Sequence, residues 1–361
     1  MATTKHAPIV EELISLIAKN NWQSKFEQAL KACHDANTIE YENIKTMEDY
    51  YEWLDNSLKW IPVENPEGTA VYNCVTTFYY LLDQSPVKEL QTPIIPSQLK
   101  GNVMPPLTPL SDWMRRYVIA FGAWMDEPGS IDEEAVKSYY NSPRYNMGDY
   151  DMPMGGWKTF NQFFARYTKP GYRPVAAIND DHVITSPADS TNDGQWEINA
   201  ESKVDIKGLE WSIEELLEGS PYKDCFDGGI FIHQFLNTTD YHREHAPVGG
   251  KVLEARLVQG VVYLGVAAEP IENDPKGRTH IVRRKLEALD EAGYQFLQMR
   301  GLVVIQSKIG KVAVLPMGMA QVSSIIVTAE EGKFLRKGEE ISYFQFGGSD
   351  IVVLFERGSN V

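Results

Sequence analysis

Near its C-terminus the chain reads Tyr343-Phe344-Gln345-Phe346-Gly347-Gly348-Ser349-Asp350-Ile351-Val352-Val353-Leu354-Phe355: an apolar run, two glycines, a serine and a second apolar run. Glycine permits backbone shapes and close approaches that other residues cannot make. A serine directly after such a break can be held with its hydroxyl aimed at the preceding carbonyl. A chain that cuts itself at Gly348–Ser349 needs that geometry. The hydroxyl is a poor nucleophile near neutral pH, so a neighbouring base must take its proton. The plain alternative is a β-hairpin turning on Gly347-Gly348.

Two other segments carry reactive side chains. Thr185-Ser186-Pro187-Ala188-Asp189-Ser190 holds an aspartate, and Thr239-Asp240-Tyr241-His242-Arg243-Glu244-His245-Ala246-Pro247 holds two histidines. Each also has a plain reading. Asp189 suits an Asx turn, His245 a surface histidine, and His242 a solvated charge cluster with Arg243 and Glu244. The two histidines are three residues apart, so a straight strand points them to opposite faces. A turn, helix or bulge is needed to take both to one site.

A third piece, Phe160-Asn161-Gln162-Phe163-Phe164-Ala165-Arg166, is stopped by Lys169-Pro170-Gly171-Tyr172-Arg173-Pro174. In this order, the segments resemble the phosphatidylserine decarboxylase family of pyruvoyl enzymes over residues 157–361. Within that family the chain resembles the soluble branch with a long N-terminal extension, which includes fungal decarboxylases of free aromatic amino acids such as tryptophan. The resemblance implies self-cleavage between Gly348 and Ser349, with Ser349 becoming a covalent pyruvoyl group. It implies His245 as the base, Asp189 as the residue that orients it, and His242 as acid and base in decarboxylation. Backbone at Gly347 and Gly348 would support the oxyanion. His233, Phe346 and Asp350 stand as candidate substrate contacts. The sequence departs from the family pattern at Ser190, at Gly249 and at Asp350, where the family shows Gly, then Asp, Asn or Ser, then Thr or Ser.

The expected reaction converts an α-amino acid, a free aromatic one first, to its amine and CO2. Phosphatidylserine is the alternative substrate, and a non-catalytic binding module the third reading. The expected partners are the small-molecule substrate and the cut peptide 349–361.

The 361 residues hold 50 acids against 34 bases, a net charge of −16. That balance disfavours nucleic acid and makes an anionic membrane an unlikely nonspecific partner. The three cysteines, Cys33, Cys74 and Cys225, are widely spaced, and no Cys/His cluster suggests a metal. The first twenty residues lack the apolar core of a signal peptide, so a cytoplasmic location is expected.

These groups must be placed by an α+β architecture: a helical N-terminal domain over 1–150, then a β-rich catalytic domain over 157–361. Apolar spacing predicts helices at 9–18, 22–36, 47–60, 70–82, 111–125 and 131–140, with Thr46 capping the third through Asp49. The proline-rich stretch 85–109 reads as a connector. Helices are also predicted over 209–217 and 283–297. Strands are expected over 248–264, 301–315 and 322–328, and on both sides of Gly347-Gly348.

Overall fold

The computed structural model describes residues 5–93, 106–206, 209–271, 283–288, 294–318, 324–346, 349–359 and 361. Gly347 and Gly348 fall outside these, as does 94–105 within the proline-rich connector.

Six helices build the N-terminal part: α1 (Pro8–Lys19), α2 (Gln23–Asp35), α3 (Met47–Ser57), α4 (Ala70–Leu82), α5 (Pro109–Met125) and α6 (Glu133–Tyr140). Thr46 Oγ1 accepts from Asp49 N while the Asp49 carboxylate accepts from Thr46 N, the reciprocal cap its spacing predicts. The aromatics of this region are core. Phe78, Trp113 and Tyr117 stack in a row, with centroids 4.9 Å apart for Phe78–Tyr117 and 5.4 Å for Trp113–Tyr117. A short helix, α7 (Phe160–Phe164), follows, capped by Thr159.

The rest is mainly strand: β1 (Thr191–Glu197), β2 (Lys203–Ile206), β3 (Leu209–Ser212), β4 (Ile230–Leu236), β5 (Arg243–His245), β6 (Gly250–Val258) and β7 (Val266–Pro270). Then come β8 (Arg284–Ala288), β9 (Arg300–Ser307), β10 (Gly310–Gly318), β11 (Ile325–Val327), β12 (Phe334–Leu335), β13 (Glu340–Phe344) and β14 (Ser349–Phe355). A seven-stranded sheet runs β1-β4-β14-β10-β9-β6-β12, and a three-stranded sheet runs β11-β13-β5. The helical part is tied to the β7–β8 pair: Ala288 N donates to Tyr72 Oη at 2.6 Å, and Tyr72 Oη–H donates to Glu287 at 2.9 Å.

Two expectations fail for physical reasons. The helix predicted over 209–217 is strand β3 followed by a four-residue helix α8 (Ile213–Leu216). Trp211, on β3, pairs with Val204 and packs edge-on against Phe296. The described part of 283–297 is strand β8 and a 3-10 turn, because Arg284 to Ala288 pair with Val266 to Pro270. The alternative reading of the glycine pair, a hairpin, is not supported: β13 and β14 belong to different sheets and do not pair with each other.

β14 lies in the middle of the large sheet, paired with β4 on one side and β10 on the other, and every one of its residues is buried. Its five apolar residues, Ile351 to Phe355, are each worth about 1.5–3 kcal/mol on burial, an upper bound near 8–15 kcal/mol together. A chain cut just before Ser349 therefore keeps its 13-residue C-terminal piece, 361 − 348, bound in the sheet.

Candidate active site

The site is assembled at one end of the seven-stranded sheet. Ser349 opens β14 opposite Leu236, the last residue of β4, and Thr191 opens β1 opposite Phe235. Asp189 lies two residues before Thr191 and so leads into β1, which is two strands from β14 in the sheet. The chain leaving β4 turns back through 237–242. The Asp240 carboxylate closes this turn, accepting from Asn237 N at 2.7 Å. Arg166 braces it by donating to the Thr239 carbonyl at 3.3 Å.

Arg166 is 1% exposed and lies 3.9 Å from the Tyr150 ring centroid. Sequence reasoning read its motif only as helix then turn. The signal available was an arginine ending an aromatic run, which a buried cation–π site explains.

His242 to Glu244 lie in register along β13: Phe344 N donates to the His242 carbonyl, Tyr343 pairs with Arg243 and Ser342 with Glu244. The register then shifts between Ser342 and Glu340, where His245 pairs, so the segment carries the irregularity its spacing called for if both rings are to reach one site. The surroundings of the two rings differ: His242 is buried and His245 half-buried.

His245 joins Asp189 and Tyr241 in an open cleft of about 490 Å³ that Arg173 also lines. Its Nδ1 lies 2.9 Å from the Gly338 carbonyl, which can only accept, so Nδ1 carries the proton. The Nε2 lone pair then accepts from the Tyr241 hydroxyl at 3.1 Å. Asp189 is bound to Arg173 at 2.6 Å rather than to His245. The structure brings Asp189 and His245 to one cleft without joining them, and no hydrogen bond links either to Ser349 among the described residues.

His242 is fully buried, packed on Phe164 at 4.2 Å between centroids. Its Nδ1–H donates to the Asp240 carbonyl at 2.9 Å, and Nε2 has no partner among the described residues. Burial, with Arg166 adding to it, pushes its pKa down to about 3, so the ring stays neutral in the folded protein.

Glu244 is also fully buried, so the solvated charge cluster is not found. One carboxyl oxygen is 2.7 Å from Ser342 Oγ, and burial raises its pKa to about 8. The folded protein holds this acid neutral while the unfolded chain ionises it near ~4.3. Stability should therefore fall as pH rises from ~4.3 to about 8 and level off above. Glu244→Gln should flatten that slope in urea titrations at pH 5, 7 and 8.5, and raise the midpoint most at the highest pH.

The segment before the glycines is held from the helical side. Asn161 accepts from Phe346 N at 3.2 Å and donates to Asp126 at 2.9 Å, and Asp126 accepts from Gln345 Nε2 at 3.3 Å. Phe346 is buried against Trp60, Phe121, Phe160 and Phe164. Ser349 itself is buried, and its Oγ has no hydrogen-bond partner among the described residues. Asp350 and His233 lie together on the other side of β14. No group of three or more His, Cys, Asp or Glu among the described residues could hold a metal. No helix among them is long and apolar enough to cross a membrane.

The family model for phosphatidylserine decarboxylase matches residues 160–361. The chain belongs to the phosphatidylserine decarboxylase family. The match takes in Asn161, Arg166, Asp189, both histidines and Ser349, and leaves helices α1–α6 outside it. Among relatives, the phosphatidylserine decarboxylase proenzyme of Geobacillus kaustophilus is 31% identical over 224 residues, 62% of this chain and 76% of that protein. Phosphatidylserine decarboxylase proenzyme 3 of Schizosaccharomyces pombe is 34% identical over 244 residues, 67% of this chain but 23% of that protein. Decarboxylase iboD of Amanita muscaria is 30% identical over 243 residues, 63% of this chain and 69% of that protein.

Proposed function

We propose that this chain is a self-processing, pyruvoyl-dependent decarboxylase acting on phosphatidylserine. The observation that carries the reading is Ser349: it opens an interior strand with its Oγ buried and without a hydrogen-bond partner among the described residues, two strands from the one that Asp189 leads into. A buried hydroxyl without a partner costs about 1–3 kcal/mol. Attack on the Gly348 carbonyl gives it a use.

In that step the Ser349 proton passes to His245 Nε2, once Tyr241 releases it, and the peptide bond becomes an ester. Loss of the residue-349 α-proton expels the Gly348 carboxylate and leaves a dehydroalanine. Its tautomer takes up water, releases ammonia and leaves a ketone at residue 349. The family's cofactor is this pyruvoyl group, and Ser349 is the residue that would carry it. The group supplies a carbonyl that takes the substrate amine and accepts the electrons left by departing CO2. His242 is the residue that the family likeness assigns to proton transfer, and its Nε2 has no partner among the described residues. Phe164 and Phe344, packed on its ring, keep water from it.

Support for a lipid substrate comes from the family match and from the rim of the cleft. Met152, Met154, Tyr167, Tyr172 and Ile178 are exposed, on the stretch that also gives Thr168 and Arg173 to Ala176 to the cleft wall. A free amino acid, an aromatic one first, is the second reading. The net charge of −16 favours it, because an acidic protein is repelled by anionic lipid. CO2 release from phosphatidylserine in detergent micelles, measured beside free serine, tryptophan and tyrosine, separates the two. We expect turnover of the phospholipid; turnover of a free amino acid alone would transfer the assignment to the second reading.

A further inference from the structure

Asp350, the residue after Ser349, departs from the family pattern, and its surroundings show what it does. Neighbours on a strand project to opposite faces, so Asp350 points away from the side that Ser349 faces. It shares its face with His233, whose partner on β14 is Val352. His233 Nε2 lies 3.5 Å from Asp350 Oδ1, and Nδ1 lies 3.1 Å from Asp193 Oδ2. Asp193 reaches the ring because β1 bulges there, between Asn192 and Gly194. The Phe296 ring stands edge-on at 5.4 Å. Asp193 from β1, Asp350 from β14 and Phe296 from the 3-10 turn are the described groups that face the imidazole. His233 is 4% exposed and Asp350 1%, so neither charge is tolerable alone.

Cutting before Ser349 makes residue 350 the second residue of a new chain. Apolar packing holds that chain from Ile351 onward, but a fresh strand end frays unless its first residues are tied down.

We propose that His233, Asp350 and Asp193 form a clamp that pins the new chain end from behind the sheet and so fixes the ketone at residue 349 on the opposite face. This rests on the reading of Ser349 as the cut site. Asp350 and His233 are then positioning residues and do not touch substrate.

The test uses the full chain with His233→Gln, Asp350→Asn and the double substitution. Intact mass reports the cut. Phenylhydrazine trapping, measured against free pyruvamide under the same conditions, reports presentation of the ketone. All three variants should cut. Each single variant should lose about 10–100-fold in kcat with KM nearly unchanged, and should trap more slowly, as expected for a misplaced reacting group. The double variant, an uncharged hydrogen-bonding pair, should recover most of the loss.

Burial opposes the charge on His233, but Asp350 and Asp193 outweigh it and raise its pKa to about 9. The clamp is therefore lost as pH rises through about 9, and kcat of the unsubstituted enzyme should fall there, a limb that His233→Gln lacks. Single variants that trap and turn over normally, or an unsubstituted profile flat through that pH, would overturn the clamp. If the variants fail to fold, the unsubstituted profile still decides, and Asp193→Asn, at a partly exposed site, should move the limb to lower pH. An unsubstituted chain with no peptide and no adduct would sink the reading of Ser349 and the clamp with it. Loss of the clamp alone leaves both in place.

Discussion

Ser349→Ala should leave one uncut chain of 361 residues, with no 13-residue peptide and no phenylhydrazine adduct. Decarboxylation should drop to background, a loss of at least ~10⁴-fold, because one oxygen serves both as nucleophile and as the origin of the ketone. The size of the effect follows from the chemistry, and its clarity follows from the packing. The Ser349 hydroxyl is buried and makes no hydrogen bond among the described residues. Its removal breaks no hydrogen bond among the described residues and relieves a buried polar group, so the alanine chain should be at least as stable as the parent. A melting temperature equal to or above the parent's, with cleavage and turnover both gone, is the expected pair of results. A cut alanine chain would refute the mechanism, and an uncut one with full turnover would refute the cofactor. Equal behaviour of parent and variant would point to a relative that uses the fold only for binding.

Much of the frame was legible because local signals agreed with tertiary ones. Ala70 to Leu82 is a helix at the predicted residues, and Thr46 with Asp49 caps α3 as their spacing requires. Reading failed where a short apolar segment fits either period. Trp211, Ile213, Leu216 and Leu217 suit a helical face, yet Trp211 is fixed by its cross-strand partner Val204 in the local β2–β3 pair, which a helical reading of the segment passes over. The glycine pair was ambiguous for the same reason. Two apolar runs beside Gly347-Gly348 look like a hairpin, and only the pairing of β14 with β4 and β10 shows otherwise.

At the site, residue types were legible and their environments were not. Glu244 and His242 look solvated beside Arg243, but the Arg243 guanidinium is taken up by the Tyr167 ring, 3.6 Å away, and by Glu340, leaving its neighbours in the core. The partner of Asp350 was hidden as well. His233 and Asp193 meet it only through sheet register and a bulge, neither of which a single sequence displays.

Substituting the two histidines should have separable effects. His245 borders the open cleft with Nδ1 proton-bearing and Nε2 a lone-pair acceptor, the form a general base must take. His245→Ala should slow self-cleavage by about 10²–10⁴-fold, the usual worth of general base catalysis, and Asp189→Asn should slow it less. Asp189 is held by Arg173 and must leave that ion pair to orient the ring, so part of its effect is already absent in this arrangement. His242→Ala should cut normally, because His242 packs against Phe164 and Phe344 and does not line the cleft that His245 borders. It should then yield a normal phenylhydrazine adduct and lose about 10²–10⁴-fold in turnover, the same range for a proton-transfer group. Time courses of cleavage by mass, followed by turnover of whatever material has been cut, resolve the two roles. The reverse pattern, with His242 needed for cleavage and His245 only for turnover, would exchange the assignments that the family likeness suggests. Equal loss of both activities in both variants would mean that both rings serve one site, an arrangement that the register shift beside His245 allows.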